Sequence, residues 1–484
     1  MLTKEKLTLG QNEDCFAPLR EDIHCTAAVV GGGLTGVCLA YLLAEKGVDT
    51  VLLEQGTLAG GKTGRSTAKV TLAHENIYSS LTERISAEAA RKYAAANKAG
   101  FAFIRRCPAG HLSDCERDFY LYALYGETRL EREYRAMQEY GIDCIRCTDT
   151  PLPFPHKAAV RLPKQLAIDP QAFVRALAEQ GNFRCFTHTK ALRLSDHVLQ
   201  CGGYRVTADM TAYCVNYPVS LGAMAAPLKL SRKTSSAVLF RSDSGFSFPD
   251  VMAYGIDGGH GFRYVSGGRL LVSGETHRGA PMPDAEARIT EAVRAFAPDA
   301  EIEAAWTNND TYTHDGIPYA GKVGGVWTAC GYGAWGMTNA AGAAVILAEQ
   351  MTGGEVWYAD IFSPARNFLR GGKREFSEHI GTAVSGMAKH LSSLPERKAS
   401  EFLPGEGGIA ADHGRKVGAY RDEDGRLYIV SLRCPHLGCS LEWNRTDSTW
   451  DCPCHGSRFS AAGDCLSNPA GHSILLEVRD GARE

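Results

Sequence analysis

Cysteine and histidine side chains are concentrated in two short segments near the end of the chain. Residues 434–439 read Cys-Pro-His-Leu-Gly-Cys, and residues 452–457 read Cys-Pro-Cys-His-Gly-Ser. Thiolates and neutral imidazoles are the ligands of zinc and of iron–sulfur clusters. In a chain without a predicted secretion signal, such spacing indicates a metal centre before it indicates disulfide bonds alone.

Zinc and iron–sulfur chemistry make different demands on these residues. A structural zinc site normally uses paired C-x2-C or H-x3–5-H spacing, which the two segments do not show. Plain buried cysteines would leave the histidines and the turns at Gly438 and Gly456 unexplained. Two thiolates suit one iron, and two imidazoles on a second iron make a cluster less negative and raise its potential. The pattern therefore favours a [2Fe–2S] cluster.

The two segments resemble the cluster-binding boxes of Rieske proteins. That resemblance implies that Cys434 and Cys452 bind one iron and that His436 and His455 bind the other. Phe459 stands where high-potential members carry a tyrosine that donates to a cysteine sulfur, while Ser457 matches the family's serine donor. We therefore expect a potential below that of the tyrosine-bearing type.

One further cysteine lies in each segment, Cys439 and Cys454. In the bc-type Rieske proteins such a pair forms a disulfide between the cluster loops, whereas Rieske ferredoxins and ring-hydroxylating oxygenases generally lack it. The resemblance implies a possible disulfide here. A reducing cytoplasm would oppose it unless it is buried beside the cluster, so both states remain open.

A second chemical pattern lies near the start of the chain. A predicted strand at 27–30 runs into Gly-Gly-Gly-Leu-Thr-Gly at 31–36, then into an apolar helix at 37–45 and a second strand at 50–53 that ends in Glu54. This is a βαβ unit with a dinucleotide-binding glycine turn.

Each residue of that turn has a physical role in holding a pyrophosphate. Gly31 permits the tight turn, Gly33 allows the phosphate to approach, and Gly36 lets the helix pack on the strand. Glu54 follows about 20 residues later and can accept the ribose hydroxyl bonds. FAD and NAD share this fingerprint, and a mere glycine turn is the bland alternative.

Three other segments resemble the D-amino-acid-oxidase superfamily. Residues 60–69 read Gly-Gly-Lys-Thr-Gly-Arg-Ser-Thr-Ala-Lys, residues 331–336 read Gly-Tyr-Gly-Ala-Trp-Gly before a predicted helix, and residues 313–318 contain Asp-Gly-x-Pro. A simple helix-start turn is the alternative for 331–336. The resemblance implies FAD, with contacts from Thr63, Gly64, Arg65, Ser66, Gly331, Gly333, Gly336 and Met337.

The resemblance also implies an α/β fold, in which a Rossmann-like FAD-binding domain is interleaved with an antiparallel-sheet substrate domain and followed by a small all-β Rieske domain. We expect the oxidoreductase at 1–370, with FAD-binding parts at about 25–80, 165–225 and 310–352, substrate-domain parts at about 81–164 and 230–309, a linker at 371–398, and the Rieske domain at 399–484. The implied chemistry is hydride removal from a carbon that bears nitrogen or oxygen.

Substrate-binding candidates lie on predicted strands of the middle sheet. Arg263 could bind a substrate carboxylate, and His277 could recognise a polar group. The alternative for either residue is a surface charge or a satisfied core side chain. Tyr312 and Trp335 flank the predicted flavin loops and are further candidates.

Composition limits the partners. The formal net charge of −3 and the dispersed basic residues give no footprint for nucleic acid. We find no 18-residue apolar stretch and no apolar leader, so we expect no integral membrane segment and a cytoplasmic location.

The expected partners are a small amine or amino-acid substrate and an external electron acceptor or donor. Two alternatives remain open: a flavo-iron–sulfur protein for electron transfer or redox sensing without small-molecule turnover, and electron flow from the cluster to a substrate reduced at FAD.

Overall fold

The computed structural model describes residues 16–107, 115–218, 226–247, 249–265, 267–278, 282, 284–388, 395–467 and 469–480. The α-helices are α1 (Leu34–Glu45), α2 (Ile77–Arg84), α3 (Ala87–Arg106), α4 (Thr128–Glu139), α5 (Pro170–Gln180), α6 (Ala226–Lys229), α7 (Ala285–Arg294), α8 (Gly336–Met351) and α9 (Lys373–Ala388), and the short 3-10 helices are Ala359–Phe362 and Ala399–Glu401. Among the helices that the structure describes, none has the length and hydropathy needed to cross a membrane.

The strands fall into four sheets. In chain order they are β1 (Ile23–Val30), β2 (Thr50–Leu53), β3 (Lys69–Val70), β4 (Glu116–Ala123), β5 (Ile145–Cys147), β6 (Ala158–Ala167), β7 (Arg184–Phe186), β8 (Ala191–Arg193), β9 (Val198–Cys201), β10 (Tyr204–Tyr213), β11 (Leu230–Arg241), β12 (Met252–Gly255), β13 (Gly261–Val265), β14 (Arg269–His277), β15 (Glu301–Thr313), β16 (Tyr319–Val323), β17 (Val326–Cys330), β18 (Gly407–Asp412), β19 (Arg415–Arg421), β20 (Leu427–Val430), β21 (Glu442–Asn444), β22 (Thr449–Asp451), β23 (Arg458–Ser460), β24 (Cys465–Ser467) and β25 (Leu475–Arg479).

The first sheet is built around parallel strands in the order β16-β17-β10-β1-β2-β7. β1 pairs in parallel with β10 on one side and β2 on the other. Its residues Ala27, Ala28 and Val29 have no exposed surface, as expected for a central strand covered on both faces. Helix α1 follows β1 directly, which completes the predicted βαβ unit.

The second sheet has the order β15-β11-β14-β13-β12-β4-β6-β3, with β5 paired to β6. Its pairings are antiparallel except for β12 with β4. The chain passes between the two sheets: β3 to β6 belong to the second, β7 to β10 to the first, β11 to β15 to the second, and β16 and β17 to the first. The predicted interleaving of a Rossmann-like domain with an antiparallel sheet is therefore confirmed.

The C-terminal part is all β, as predicted. It contains two four-stranded sheets, β18-β19-β20-β25 and β21-β22-β23-β24, whose pairings are antiparallel. Trp450 and Phe459 have no exposed surface and pack in one apolar cluster with Cys434 and Cys452. The two candidate cysteine ligands thus lie at the core of this domain.

The segment predicted as a linker, 371–398, contains helix α9. The sequence there is polar because much of the helix faces solvent, as Ser377 and Glu378 do. One position on its inner side, His379, is only 3% exposed. Because only a narrow side of the helix is buried, its sequence shows little hydrophobic periodicity. Its polar composition is therefore typical of a linker.

Helices α3 and α8 cross at two glycines. A Cβ atom on Gly100 would lie 2.4 Å from the carbonyl oxygen of Thr338, and one on Gly342 would lie 2.5 Å from that of Ala96. The two backbones therefore approach as closely as their atoms allow. This contact sets the position of α8, whose first turn follows the second glycine loop.

We predict that Gly342→Ala lowers the free energy of unfolding by about 1–3 kcal/mol, because the methyl group forces the two helices apart. Denaturant unfolding followed by circular dichroism measures this change. Gly126→Ala is the matched control, since no atom lies within 4 Å of its Cβ position. Equal unfolding midpoints for both variants and the wild type would contradict the packing described here.

Candidate functional site

The first glycine turn joins β1 to α1. Gly31 has a φ of +110°, in the left-handed region, and a Cβ there would lie 2.5 Å from the carbonyl oxygen of Cys214. A Cβ on Gly36 would lie 1.9 Å from the carbonyl oxygen of Gly31. Gly33 is the N-cap of α1 and forms no side-chain cap within the described residues. The turn therefore places backbone without side chains at a helix N-terminus, a position that suits a phosphate, although the N–H groups of Gly32 and Leu34 bond to Glu54 and Thr63 in this structure.

Glu54 lies beside this turn at the end of β2. Its carboxylate accepts the N–H of Gly32 at 2.6 Å and the N–H of Gly56 at 2.8 Å. These contacts hold the acidic group next to the glycine turn. A ribose contact from Glu54 remains a prediction.

The segment after β2 reaches back to the same helix. Thr63 Oγ1 accepts the N–H of Leu34 at the start of α1, at 3.0 Å. Gly64 donates its N–H to the carbonyl of Ala59 at 2.8 Å, and a Cβ on Gly64 would lie 2.5 Å from that oxygen. Ser66 Oγ accepts a local N–H bond. Three of the four predicted FAD contacts of this segment thus form a tight turn beside α1.

The second glycine loop meets the first turn. Its predicted flavin-contacting residues are Gly331, Gly333, Gly336 and Met337. Gly331 and Gly333 have φ values of +82° and +60°, and Gly336 is the first residue of α8. Tyr332 Oη accepts a hydrogen bond from Thr35 Oγ1 in α1 at 2.9 Å. The two predicted cofactor-binding segments therefore lie together, although about 300 residues separate them in the chain.

These features fit FAD. The start of α1 carries no side chain at Gly33, so a phosphate can approach its backbone, and Glu54 stands close by. No side-chain N-cap is found for α8 in the described part of the chain. The open, positive end of that helix can stabilise negative charge on the flavin ring.

Half-buried aromatic and charged side chains gather between the second glycine loop and the second sheet. Tyr254 donates its hydroxyl to Glu75 at 2.8 Å, and its ring lies 5.0 Å from that of Trp335, centroid to centroid. Lys233 Nζ lies 4.8 Å from the ring centroid of Tyr312. We call Glu75, Lys233, Tyr254, Tyr312 and Trp335 the aromatic pocket.

Electrostatics connect the members of this pocket. Burial raises the pKa of Tyr312, and the nearby charges of Asp310 and Glu75 raise it further. Burial and the Glu75 carboxylate also raise the pKa of Tyr254. Both phenols are therefore neutral donors or acceptors at ordinary pH.

The sequence signalled only two of these residues, Tyr312 and Trp335, through their positions beside the glycine loops. Glu75, Lys233 and Tyr254 come from three separate parts of the chain and share no spacing. The backbone of Glu75 is left-handed, with a φ of +54°, a strained conformation that is common at functional sites. The sequence does not reveal this conformation.

The two predicted substrate-binding residues contact backbone carbonyl groups. Arg263 is 7% exposed and donates to the backbone carbonyls of Thr67 at 2.6 Å and Ile168 at 2.7 Å. Its guanidinium thus ties β13 to the segment after β2. His277 Nδ1 lies 2.8 Å from the carbonyl oxygen of Glu275. These contacts are structural, and a catalytic role for Arg263 and His277 stays a prediction.

The four candidate cluster ligands converge in the C-terminal domain. The rings of His436 and His455 lie 4.9 Å apart, centroid to centroid. The Nδ1 atoms of both rings are buried and have no hydrogen-bond partner among the described residues. Cys434 and Cys452 are each 2% exposed, and their thiols hydrogen-bond to each other. Two buried imidazole nitrogens without a partner among the described residues, in the same two loops as two buried thiols, fit a [2Fe–2S] cluster.

The remaining pair, Cys439 and Cys454, forms a disulfide with a Cα–Cα distance of 6.5 Å. Both residues are buried, so cytoplasmic thiols have little access to the disulfide and it can persist in a reducing environment. The sulfur atoms of Cys439, Cys452 and Cys454 lie within 4.8 Å of one another. Since two of them are bonded to each other, this trio offers one thiolate and does not make a zinc site.

A hydroxyl group of the second sheet lies at the centre of one contact with the C-terminal domain. Thr307, on β15, accepts hydrogen bonds from Asn444 Nδ2 at 2.8 Å and Arg458 Nη2 at 2.7 Å. The same hydroxyl donates to the carboxylate of Asp447. Arg458 is also paired with Asp451, through Nε at 2.9 Å and Nη2 at 2.8 Å. We call Thr307, Asn444, Asp447, Asp451 and Arg458 the Thr307 interface.

Arg65, predicted to contact FAD, lies at the edge of this interface. Its guanidinium pairs with Asp447 at 2.7 Å and donates to the carbonyl of Thr307 at 3.1 Å. Burial alone would raise the pKa of Asp447, but Arg458 and Arg65 outweigh it and hold that pKa below the usual range. Asp447 is therefore a charged bridge between the segment after β2 and the C-terminal domain.

Comparisons with known proteins agree with this division. A family profile described as FAD dependent oxidoreductase matches residues 26–350, and one described as Rieske [2Fe-2S] domain matches residues 394–477. A relative from Bacillus subtilis (strain 168), YhfW, which is named for a Rieske 2Fe-2S iron-sulfur centre, is 30% identical over 478 residues and covers 94% of each chain.

Solved structures resemble the first part of the chain. Glycine oxidase from Geobacillus kaustophilus has a TM-score of 0.58 at 19% identity and covers 71% of this chain and 99% of its own. L-proline dehydrogenase from P. horikoshii has a TM-score of 0.59 at 16% identity, with coverage of 73% and 99%. At these identities the likeness concerns the fold.

We predict that Thr307→Val weakens the Thr307 interface by about 3 kcal/mol, because Asn444, Arg458 and Asp447 each lose one buried hydrogen bond. Hydrogen exchange of the amides in β15 and β22 measures the opening of this contact. Thr311→Val on the same strand is the control, since Thr311 Oγ1 makes one bond, to Asn216 at 3.1 Å. Equal exchange rates for the two variants would contradict the assignment.

We predict that Phe459→Tyr raises the midpoint potential of the cluster by about 40 mV, because one added hydrogen bond to sulfur favours the reduced form by about 1 kcal/mol. Protein-film voltammetry measures the potential. Phe402→Tyr, in a separate apolar cluster of the same domain, is the control. An unchanged potential in Phe459→Tyr would show that no such bond forms.

Proposed function

The chain belongs to the FAD-dependent oxidoreductase family and ends in a Rieske [2Fe-2S] domain, and on this basis we propose that it oxidises a small amine or amino acid and passes the electrons singly to the cluster. An external acceptor then takes them from the cluster. The Thr307 interface is the observation that carries this proposal. It fixes the C-terminal domain against β15, the strand that ends beside the second glycine loop.

The aromatic pocket supports an amino-acid substrate. Glu75 offers a carboxylate for an ammonium group, and Lys233 offers a cation for a carboxylate. The rings of Tyr254, Tyr312 and Trp335 lie beside these two charged groups and offer aromatic surface to a substrate side chain. Glycine oxidase and L-proline dehydrogenase, two of the structural neighbours, are named for amino-acid substrates.

FAD would supply hydride acceptance, and the chain would supply orientation and charge. Glu75 would hold the substrate nitrogen and, as the base nearest to it, would take its proton. The N-terminus of α8 would favour negative charge on the flavin ring. The residues proposed to hold FAD are Gly31, Gly33, Gly36, Glu54, Thr63, Gly64, Ser66, Gly331, Gly333, Gly336 and Met337, with Arg65 shared with the Thr307 interface.

The cluster would be bound by Cys434, Cys452, His436 and His455. Electron flow from FAD to this cluster makes chemical sense because a flavin takes two electrons at once, while the cluster carries one. We further propose a cytoplasmic location. Buried free thiols such as that of Cys330 support it.

An anaerobic absorption titration with a panel of amines and amino acids tests the proposal. We expect one class of compound to bleach the flavin bands and the iron–sulfur shoulder together, because both cofactors belong to one electron path. Iron and acid-labile sulfide analysis of the same sample controls for cluster loading. Fully loaded protein that no amine or amino acid bleaches would contradict the proposed oxidation and favour an electron-transfer or redox-sensing protein.

We predict that Lys233→Met raises the KM for an amino-acid substrate at least tenfold, about 1.4 kcal/mol, while a matching amine without the carboxylate is unaffected. Steady-state kinetics with an artificial one-electron acceptor measures both constants. Lys157→Met is the control, since this lysine is exposed and lies just before β6. An equal increase in KM for the amino acid and the amine would show that Lys233 does not bind the substrate carboxylate.

A further inference from the structure

Helix α9 lies between the oxidoreductase part and the C-terminal domain and contacts both. At its start, Glu375 and Glu378 pair with Arg278, which follows β14 of the second sheet. Arg278 has 17% of its side chain exposed, so these pairs are partly shielded from water. One end of α9 is therefore anchored on the substrate side of the molecule.

The other end of α9 packs on the candidate cluster loops. A Cβ on Gly386 would lie 3.0 Å from Cys454 Sγ, and the carbonyl oxygen of Ala383 lies 4.0 Å from the same sulfur. Ser440 donates its N–H to the carbonyl of Gly386 at 3.1 Å. The helix thus seats directly on the disulfide that joins the two loops.

His379 stands between these two ends. Its ring lies 5.8 Å from that of His455 in an edge-to-face arrangement and 5.4 Å from that of His314, centroid to centroid. His314 precedes Asp315, which pairs with Arg366, and it is itself 1% exposed. A row of three buried histidine rings therefore runs from the candidate cluster to the loop that connects β15 to β16.

The opposite side of the same cluster loop is held by the oxidoreductase part. A Cβ on Gly456 would lie 3.0 Å from the side chain of Arg232 and 2.8 Å from Asn309 Nδ2. Arg232 is 5% exposed and donates to the carbonyl of Asn309 at 3.0 Å. The loop that carries His455 is thus clamped between β11 and α9.

We propose that His379 is a positioning residue for the [2Fe–2S] cluster, which packs against the ring of the ligand His455, fixes its orientation and keeps water from it. The inference rests on the proposed function only in requiring the cluster. Groups outside the ligand set that orient a metal-bound imidazole and control solvent access tune the metal's potential. Here that group comes from a helix outside the Rieske sheets.

Helix α9 connects the ligand His455 to the oxidoreductase part. It orients His455, and it is anchored through Glu375 and Glu378 to Arg278. The properties of the cluster therefore depend on contacts with the oxidoreductase part, in addition to its four ligands.

The test is electron paramagnetic resonance and potentiometry of the full-length holoprotein carrying His379→Ala. We expect shifted g values, broader spectral lines and a shifted midpoint potential. Without the His379 ring, the ring of His455 can adopt several orientations and is exposed to water. His379→Phe keeps a ring in place, and we expect it to restore the narrow spectrum. Ser377→Ala, on the exposed side of the same helix, is the control and should match the wild type.

A second variant guards against simple misfolding. Glu375→Gln combined with Glu378→Gln loosens the anchor of α9 without touching the cluster loops, and we expect a smaller shift in the same direction. Loaded His379→Ala protein with wild-type g values and potential would overturn the role of His379 alone. Wild-type protein without any iron–sulfur signal would overturn the cluster assignment and the proposed function with it. Neither readout depends on an amine substrate.

Discussion

The docking of the C-terminal domain on the oxidoreductase part depends on the hydroxyl of Thr307. This hydroxyl accepts from Asn444 and Arg458 and donates to Asp447, so its hydrogen-bonding capacity is fully used. Buried charges are costly unless each is paired and hydrogen-bonded, and Arg458 meets that demand with two carboxylates. A network of this kind is satisfied in one arrangement only, which gives the docking of the C-terminal domain its specificity.

That docking places the candidate cluster on the oxidoreductase part at three contacts. The Thr307 interface holds one side, Arg232 packs against the loop of His455, and α9 covers the disulfide. The flavin side is organised by close backbone approach, since the glycine turns and the crossing of α3 with α8 leave no room for side chains. Two rigid sites fixed relative to each other suit electron transfer between them.

Local signals in the sequence predicted much of this structure. Strand β2 lies at the predicted residues 50–53, and β1 and α1 end at the predicted positions Val30 and Glu45, because buried strands and helix ends are encoded within a few residues. Composition and spacing favour helix throughout residues 81–106, whereas the structure has two helices, α2 and α3, separated at Ile85 and Ser86, where Ser86 caps the second.

The parts that sequence did not predict are long-range contacts. Glu75 meets Tyr254 across 179 positions, and Thr307 meets Arg458 across 151. No spacing rule links such residues, because only the folded sheets bring them together. Arg263 is a related case: its contacts with two backbone carbonyls are also long-range and not encoded locally, while its role toward a substrate carboxylate stays a prediction. The segment 371–398 has the polar composition of a linker, because few residues of helix α9 are buried and the helix therefore has little hydrophobic periodicity.

The central claim is that flavin and cluster exchange electrons within one chain. The most direct measurement is anaerobic photoreduction of the flavin in the holoprotein, followed by rapid freezing and electron paramagnetic resonance at several protein concentrations. The account predicts a reduced Rieske-type signal that grows as the flavin reoxidises, at a rate independent of protein concentration. A reduced flavin beside a cluster that stays oxidised, or a rate proportional to protein concentration, would contradict it.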